Sequence, residues 1–246
     1  MTKDPSLFSK FLISNTLLLF LPCFLHAKVF FYSVEGWVKH EESNTPIANA
    51  VIRFTNIEKS LTFKVLTDKN GYFHTLVEAE QIYDVRVSHP QFFTQSQAEV
   101  NTTQRNKIFQ YEFKLKEVLV GKGVRIDGIE FDPNTNHPTQ ESEITLEKLH
   151  RLMDENPHLV FEIGVHTDSR GNDEYNIVLS QGRADEIIFN LYKKGIPKDR
   201  LTGKGYGETR LVNHCANGVR CNGNEHQLNR RIEFIVKDIL AVSIEK

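Results

Sequence analysis

The pattern of hydrophobic and polar residues changes character near the middle of the chain. Before residue 118, short apolar or alternating runs are separated by turn residues, which is typical of β-strands. The runs are Val34 to Val38, Ala50 to Phe54, Leu61 to Leu66, Tyr72 to Val77, Tyr83 to Val87 and Ile108 to Leu115. The segment Asp68-Lys69-Asn70-Gly71 lies between two runs and supplies residues that tolerate the positive φ of a tight hairpin. Residues 28–118 are therefore predicted to form an all-β sandwich.

From Gly128 onward, strand-like runs alternate with helical spacing. Apolar residues at helical intervals from Ile144 to Met153 predict a helix that Pro157 ends. A second helix is expected to start at the capping residue Asn172 and to stop at Gly195. Strands are predicted at Ile129 to Phe131, Leu159 to Val165, Leu201 to Tyr206 and Arg231 to Lys237. The order β-α-β-α-β-β indicates an α+β domain with two helices on one face of a mixed sheet.

The remaining segments complete the expected domain organisation. Residues 1–27 resemble a secretory signal peptide, with Lys3 and Lys10 before an apolar run and Ala27 as a small residue for cleavage. Cys23 suggests a lipoprotein alternative, which Pro22 before it disfavours. Residues 119–127 are expected to be a linker or a leading strand, residues 128–238 the α+β domain, and residues 239–246 a C-terminal tail.

Composition and charge exclude several classes of protein. The 246-residue chain is 25% charged with a formal net charge of −2, and its basic residues are scattered among acids. Because nucleic-acid binding requires a basic field, no nucleic-acid partner is expected. The apolar run near the N-terminus is too short to span a bilayer, so no transmembrane span is expected in the mature chain.

One constellation of residues indicates a binding site. The pattern Thr-Asp-x-x-Gly occurs at residues 67–71 and again at residues 167–171. The first copy is interpreted as an Asx turn in a hairpin. Only the second copy, His166-Thr167-Asp168-Ser169-Arg170-Gly171, is followed by Asn176, by Leu179-Ser180-Gln181-Gly182-Arg183-Ala184 and by Asn229-Arg230-Arg231. Arg183 follows Asp168 by 15 positions, which pairs a loop carboxylate with a helical guanidinium and suits a zwitterionic ligand.

This second constellation resembles the OmpA-like peptidoglycan-binding domain, over about residues 128–236. The resemblance implies non-covalent binding of the diaminopimelate-containing peptide stem, whose diaminopimelate residue presents an ammonium and a carboxylate. It implies that Asp168 accepts the ammonium and that Arg183 pairs with a carboxylate through its planar fork. Thr167 belongs to the same motif, Asn176 is expected to hydrogen-bond the stem, and Arg231 is expected to border or brace the groove.

The N-terminal half shows a second resemblance. Gly36, the run Pro46-Ile47-Ala48-Asn49-Ala50-Val51, the run Thr67-Asp68-Lys69-Asn70-Gly71-Tyr72-Phe73 and Tyr83-Asp84-Val85 are similar to the carboxypeptidase regulatory-like domain, a prealbumin-type, immunoglobulin-like β-sandwich. These motifs indicate the fold and are silent on function, so the partner of this domain stays open.

Two cysteines remain after the expected cleavage, Cys215 and Cys221. Export to an oxidising compartment makes a disulfide between them the default expectation. The alternative is a zinc site that adds His214 and His226, since these are zinc-ligand residue types. Adjacent His214 and Cys215 are expected to have difficulty reaching one ion, so neither a metal nor another cofactor is predicted.

The predicted function is to tether an envelope or outer-membrane-associated protein to the cell wall. The expected location is the periplasm, or the periplasmic face of the outer membrane, of a Gram-negative bacterium. An enzyme is not expected: His166 and Asp168 could imitate an acid–base pair, but no Gly-x-Ser-x-Gly or His-Glu-x-x-His motif accompanies them. The alternative is a structural or partner-binding envelope protein whose OmpA-like domain has lost affinity for its ligand.

Overall fold

The computed structural model describes residues 30–104, 109–132 and 135–241. The expected signal segment, Cys23 and most of the expected tail lie outside the described residues. Within those ranges, none of the helices combines the length and the apolar composition that crossing a membrane requires.

Seven strands form the N-terminal half, in two sheets. One sheet has three strands in the order β4-β1-β7 and the other has four in the order β3-β2-β5-β6. β1 runs parallel to β7, and every other pair is antiparallel. The strands are β1 (Phe31–His40), β2 (Val51–Asn56), β3 (Thr62–Leu66), β4 (Tyr72–Glu78), β5 (Ile82–His89), β6 (Phe92–Asn101) and β7 (Phe109–Leu115). Alternate residues such as Val34, Ile52, Phe54 and Val87 are fully buried between the sheets, which confirms the predicted sandwich.

Two details of the sandwich differ from expectation. Strand β6 was not predicted, because its sequence Phe-Phe-Thr-Gln-Ser-Gln-Ala-Glu-Val-Asn has neither an apolar run nor regular alternation. The turn at Asp68 is present, with its carboxylate accepting hydrogen bonds from the backbone of Asn70 (2.8 Å) and Tyr72 (2.9 Å). However, it joins strands β3 and β4 of different sheets, so the prediction of a hairpin was wrong.

The C-terminal half is an α+β layer structure with a four-stranded mixed sheet in the order β10-β9-β11-β8. β9 is central, parallel to β10 and antiparallel to β11. The elements are β8 (Gly123–Ile126), α1 (Glu143–Glu155), β9 (Leu159–His166), α2 (Asp173–Lys193), β10 (Leu201–Gly207), α3 (Gly223–Asn229) and β11 (Arg231–Ile239). Buried residues from α1, α2 and the sheet, including Met153, Ile163 and Leu191, form one core. The predicted fold class is confirmed, and the short helix α3 between β10 and β11 is added to the predicted element order.

Two local predictions in this half were wrong. The first strand lies at β8 and not at Ile129 to Phe131, where Phe131 forms only a single bridge to Pro138. The short helix α3 was missed, although its start carries a capping box. Asn222 accepts a hydrogen bond from the backbone of Glu225, and Glu225 accepts one from the backbone of Asn222.

Helix α2 lies unusually close to strand β10, and a glycine makes this possible. A Cβ atom built on Gly205 would lie 2.2 Å from the backbone nitrogen of Gln181. No side chain fits in that space, so the glycine fixes how closely the middle of α2 approaches the sheet. The position of Arg183, two residues further along α2, depends on this contact.

The two halves contact each other through the start of β6. Phe93 packs against the C-terminal core, and the backbone N–H of Thr94 donates to Oδ1 of the buried Asn156 at 2.8 Å. Ser96 donates to Glu155 at 2.5 Å. The sandwich therefore rests against the end of α1, on segments other than the Thr167–Gly171 loop.

Candidate functional site

The candidate site begins where the central strand β9 ends. Thr167 to Gly171 form a loop at the carboxyl end of β9, and Asn172 then caps α2 by accepting a hydrogen bond from the backbone of Tyr175 at 3.1 Å. Gly171 has a φ of +103°, which side-chain-bearing residues rarely adopt. The sheet and the helix cap therefore hold the loop at both ends.

The carboxylate of Asp168 is buried in this loop and is held by two guanidinium groups. Asp168 is 5% exposed. Oδ1 accepts from the backbone N–H and the Nε of Arg170, at 3.0 and 3.1 Å, and Oδ2 accepts from a terminal nitrogen of Arg170 at 2.9 Å. Arg230 also donates to Oδ2. Burial opposes ionisation, but the hydrogen bonds from Arg170 and Arg230 outweigh it and lower the pKa of Asp168 to about 2.

Asn176 of α2 also holds the Thr167–Gly171 loop in place. Its side-chain nitrogen lies 3.2 Å from the backbone oxygens of both Asp168 and Arg170, and 2.6 Å from a carboxylate oxygen of Glu208. Asn176 is 3% exposed, and its donors are directed to the protein. In this structure it positions the loop.

Arg183 lies on α2 in different surroundings from those of Asp168. Its Nε is 3.4 Å from the backbone oxygen of Thr135, and its guanidinium lies 4.6 Å from the centre of the Phe131 ring. Among the residues that the structure describes, no carboxylate forms an ion pair with it. Burial lowers the pKa of Arg183, yet an arginine stays protonated at neutral pH. Arg183 is therefore a cation available to an anionic group.

A polar cleft of about 550 Å³ lies beside Arg183. Arg183, Arg230, Arg231, His166 and Phe131 are among its lining residues. Asp168 is not, and Arg230, which lines the cleft, contacts it. The structure therefore brings Arg183 and Arg231 to one cleft and places Asp168 behind the guanidinium of Arg230.

The other two predicted residues lie inside the domain. Arg231 donates to Glu233 at 2.7 Å and to the backbone oxygen of Asn229 at 3.2 Å, with its side chain 8% exposed. It braces the wall of the cleft. Thr167 donates its backbone N–H to Gly207 at 2.9 Å, and its buried hydroxyl oxygen has no hydrogen-bond partner among the described residues.

The sequence motif does not indicate that Arg170 and Arg230 belong to the site. Successive residues of a strand point to opposite faces, so the pair Arg230-Arg231 at the start of β11 could have suggested that each arginine contacts a different acid. Arg231 pairs with Glu233, two positions along the same face, and Arg230 pairs with Asp168. For Arg170 the only indication was its position two residues after Asp168.

His166 packs against neighbouring strands of the C-terminal sheet. Its ring stacks on Tyr206, with 4.9 Å between the ring centres, and its Nε2 lies 3.4 Å from Glu233. Burial, assisted by Arg231, lowers the pKa of His166 to about 4. The neutral ring is part of the packing between β9, β10 and β11, and no hydrogen bond links it to Asp168 among the described residues.

Cys215 and Cys221 form the expected disulfide. Its loop packs on the candidate site, because the hydroxyl of Ser169 donates to the backbone oxygen of Cys215 at 2.6 Å. Donor atoms of His214, Cys215 and Cys221 lie within 4.8 Å of one another, so the difficulty expected for His214 and Cys215 in reaching one ion does not arise from the distance between them. His226 is not in that group, and both sulfurs are bonded to each other.

The fold and cleft define a two-domain protein, in which a β-sandwich precedes an α+β domain with a charged cleft. The OmpA family profile matches residues 130–225, which lie in the α+β domain. The sandwich matches the carboxypeptidase regulatory-like domain over residues 33–116. Both predicted resemblances are confirmed.

Curated relatives match part of the chain. The photosystem I P700 chlorophyll a apoprotein A2 of Gloeobacter violaceus is 35% identical over 138 residues, 54% of this chain and 16% of that protein. Outer membrane porin F of Pseudomonas fluorescens is 36% identical over 44% of this chain and 31% of its own length. The peptidoglycan-associated lipoprotein of Legionella pneumophila is 36% identical over 30% of this chain and 39% of its own length. The chain thus spans less than half of each of these relatives.

Solved structures are similar over a little less than half of the chain. The cell wall anchor of the T6SS from Pseudomonas aeruginosa is 24% identical, with a TM-score of 0.39, over 46% of this chain and 78% of that one. The peptidoglycan-associated lipoprotein from Burkholderia pseudomallei is 21% identical, with a TM-score of 0.38, over 44% of this chain and 86% of that one.

The buried His166 makes a prediction about acid stability. Its folded pKa of about 4 lies below the ordinary value of 6.5, so the unfolded chain binds the proton more readily. The contribution of neutral His166 to the unfolding free energy is complete above pH 6.5, and it is lost as the pH falls from 6.5 towards 4. The substitution His166→Phe keeps an aromatic ring on Tyr206 and removes the titrating group. Between pH 7 and pH 5 the variant should therefore lose about 2 kcal/mol less unfolding free energy than the wild type does.

Urea unfolding at several pH values measures this effect. His137→Phe, at a histidine whose side chain is 73% exposed, is the control and should leave the pH dependence as in the wild type. An unchanged pH dependence in His166→Phe would show that folding does not lower the pKa of His166.

The disulfide makes a second prediction. Closing a seven-residue loop stabilises a protein by about 2 kcal/mol in the chain-entropy model, so reduction should lower the unfolding free energy by about that amount while the protein stays folded. The double variant Cys215→Ala/Cys221→Ala should show the same loss and no further response to reductant. Complete unfolding in reductant would contradict this account, and stoichiometric zinc with two free thiols in protein purified without added metal would favour the metal site.

Proposed function

We propose that this protein binds peptidoglycan non-covalently and thereby tethers an envelope or outer-membrane-associated protein to the cell wall. The observation that supports the proposal is that one domain carries both an ionised, buried Asp168 and Arg183, a cation without a carboxylate partner among the described residues. The OmpA-like domain and relatives named as peptidoglycan-associated lipoproteins and outer membrane proteins support the same conclusion. A periplasmic location, or one at the periplasmic face of the outer membrane, follows from it.

The proposed ligand is the diaminopimelate-containing peptide stem. Its ammonium binds Asp168, and a carboxylate binds the planar fork of Arg183, which geometrically matches a carboxylate. The aromatic ring of Phe131 beneath Arg183 limits where the guanidinium can move. Arg231 keeps the wall of the cleft in place through Glu233, and Thr167 and Asn176 position the loop that presents Asp168.

One observation favours a second candidate. Asp168 already has two guanidinium partners, Arg170 and Arg230. A carboxylate that is fully paired within the protein is also what a structural or partner-binding envelope protein without ligand affinity would show. Binding measurements on wild-type protein distinguish the two candidates.

Substitutions at Asp168 and Arg183 test the proposal. Asp168→Asn and Arg183→Ala should each weaken co-sedimentation with purified sacculi by about 2–5 kcal/mol, the scale of losing one partner of a desolvated charged contact. Arg183→Lys should also weaken binding, because an ammonium does not reproduce the fork. Dissociation constants from sedimentation across a range of sacculus concentrations measure these losses.

Matched controls are available in the same domain. Asp199→Asn and Arg151→Ala remove one charge each from exposed positions and should bind as the wild type does. Circular dichroism verifies that every variant is folded. If both Asp168→Asn and Arg183→Ala bind sacculi as tightly as the wild type does, the proposed clamp is refuted. If the wild type does not bind sacculi, the structural candidate is favoured.

We also propose that residues 119–246 are sufficient for binding, with the sandwich available to another, unidentified partner. Every residue of the proposed clamp belongs to the C-terminal domain. Phe93 of the sandwich packs against the core of that domain, and Thr94 contacts Asn156 at the C-terminal end of α1. A fragment of residues 119–246 should bind sacculi as the mature chain does, and residues 28–118 should not bind. If the folded C-terminal fragment binds more than about tenfold more weakly, near 1.4 kcal/mol, the sandwich contributes to the groove.

A further inference from the structure

Arg170 occupies the place on Asp168 that the proposed ligand would need. Its Nε and one terminal nitrogen contact the two carboxylate oxygens of Asp168, at 3.1 and 2.9 Å. An ammonium that binds Asp168 requires at least one of those oxygens. The free protein therefore fills the ammonium position with a cation of its own.

The two arginines on Asp168 are not equivalent. The side chain of Arg170 is 60% exposed, whereas that of Arg230 is 37% exposed and lines the cleft. Arg230 also donates to Gln227, while the described side-chain contacts of Arg170 are all with Asp168. Arg170 is therefore the partner that can leave with less loss of contact.

The backbone of Arg170 stays in place when its side chain moves. Its N–H donates to Asp168 at 3.0 Å, and its carbonyl oxygen accepts from Asn176 at 3.2 Å. Neither contact involves the guanidinium. A released Arg170 side chain thus remains tethered two residues from Asp168, with a free fork that can pair with a carboxylate.

Resting on the proposed function, we infer that Arg170 determines ligand specificity by exchange: the ligand ammonium displaces it from Asp168, and it then pairs with the carboxylate next to that ammonium. A ligand end with an ammonium and a carboxylate on one carbon replaces the ion pair between Arg170 and Asp168 by two ion pairs. The ammonium pairs with Asp168, and the carboxylate pairs with Arg170. A ligand end with only an ammonium replaces the ion pair between Arg170 and Asp168 by one ion pair with Asp168. The side chain of Arg170 is then left without a partner. The exchange therefore favours the zwitterionic end of diaminopimelate over the simple amine of lysine.

Two synthetic stem tripeptides test this inference, one that ends in diaminopimelate and one that ends in lysine. Isothermal titration of the mature protein should show a preference for the diaminopimelate peptide. In Arg170→Ala that preference should fall by up to about fivefold, the scale of one partly exposed ion pair. The lysine peptide should bind Arg170→Ala more tightly than it binds the wild type, because the competing guanidinium is gone.

Two variants make the result specific. Arg151→Ala removes the same charge from the exposed face of α1 and should leave the preference unchanged. Arg170→Lys keeps the charge without the fork and should fall between the wild type and Arg170→Ala.

The outcomes separate this inference from the proposed function. If both peptides bind Arg170→Ala more tightly by the same factor, Arg170 only competes for Asp168, Arg183 alone selects the carboxylate, and the exchange is refuted. An unchanged preference without any gain in affinity refutes it as well. If the wild type binds neither peptide and no sacculi, both the inference and the proposed function fail.

Discussion

The buried carboxylate of Asp168 is the constraint on which the rest of the candidate site depends. A charge that is 5% exposed is stable only when it is paired and hydrogen-bonded. Arg170 supplies the opposite charge from the loop itself, and Arg230 supplies it from the residue between α3 and β11. These contacts outweigh the cost of burial, so the carboxylate stays ionised in the folded protein.

The elements around the loop fix where that charge lies. Asn176 ties two backbone oxygens of the loop to the first turns of α2, and Ser169 ties the loop to the disulfide at Cys215. The same helix carries Arg183, and Gly205 lets it approach β10 closely. One rigid helix on one sheet therefore sets the relation between the negative loop and the guanidinium of Arg183. The proposed clamp for a zwitterion needs two charges at a fixed separation, which a rigid helix on a sheet can hold.

The sequence was most informative where local rules and periodicity agree. The helices α1 and α2, the cap at Asn172 and the central strands were predictable because their apolar spacing and their start and stop residues indicate the same elements. β6 was not, since its burial depends on neighbours in the sheet and on the C-terminal core that receives Phe93. The strand placed at Ile129 to Phe131 failed for a similar reason, because pairing with β11 at Gly123–Ile126 decides the register.

The candidate site was predictable in its residue types and less so in its contacts. Asp168 and Arg183 were named from their motif, and no spacing rule indicates that Arg170 and Arg230 both reach Asp168. Nuclear magnetic resonance on the labelled mature chain, titrated with the diaminopimelate tripeptide, tests the proposed clamp most directly. The account predicts saturable shifts at the amides of residues 167–171 and at the Nε of Arg183, with residues 33–116 unchanged. Saturable shifts confined to other regions, or none at all, would contradict it.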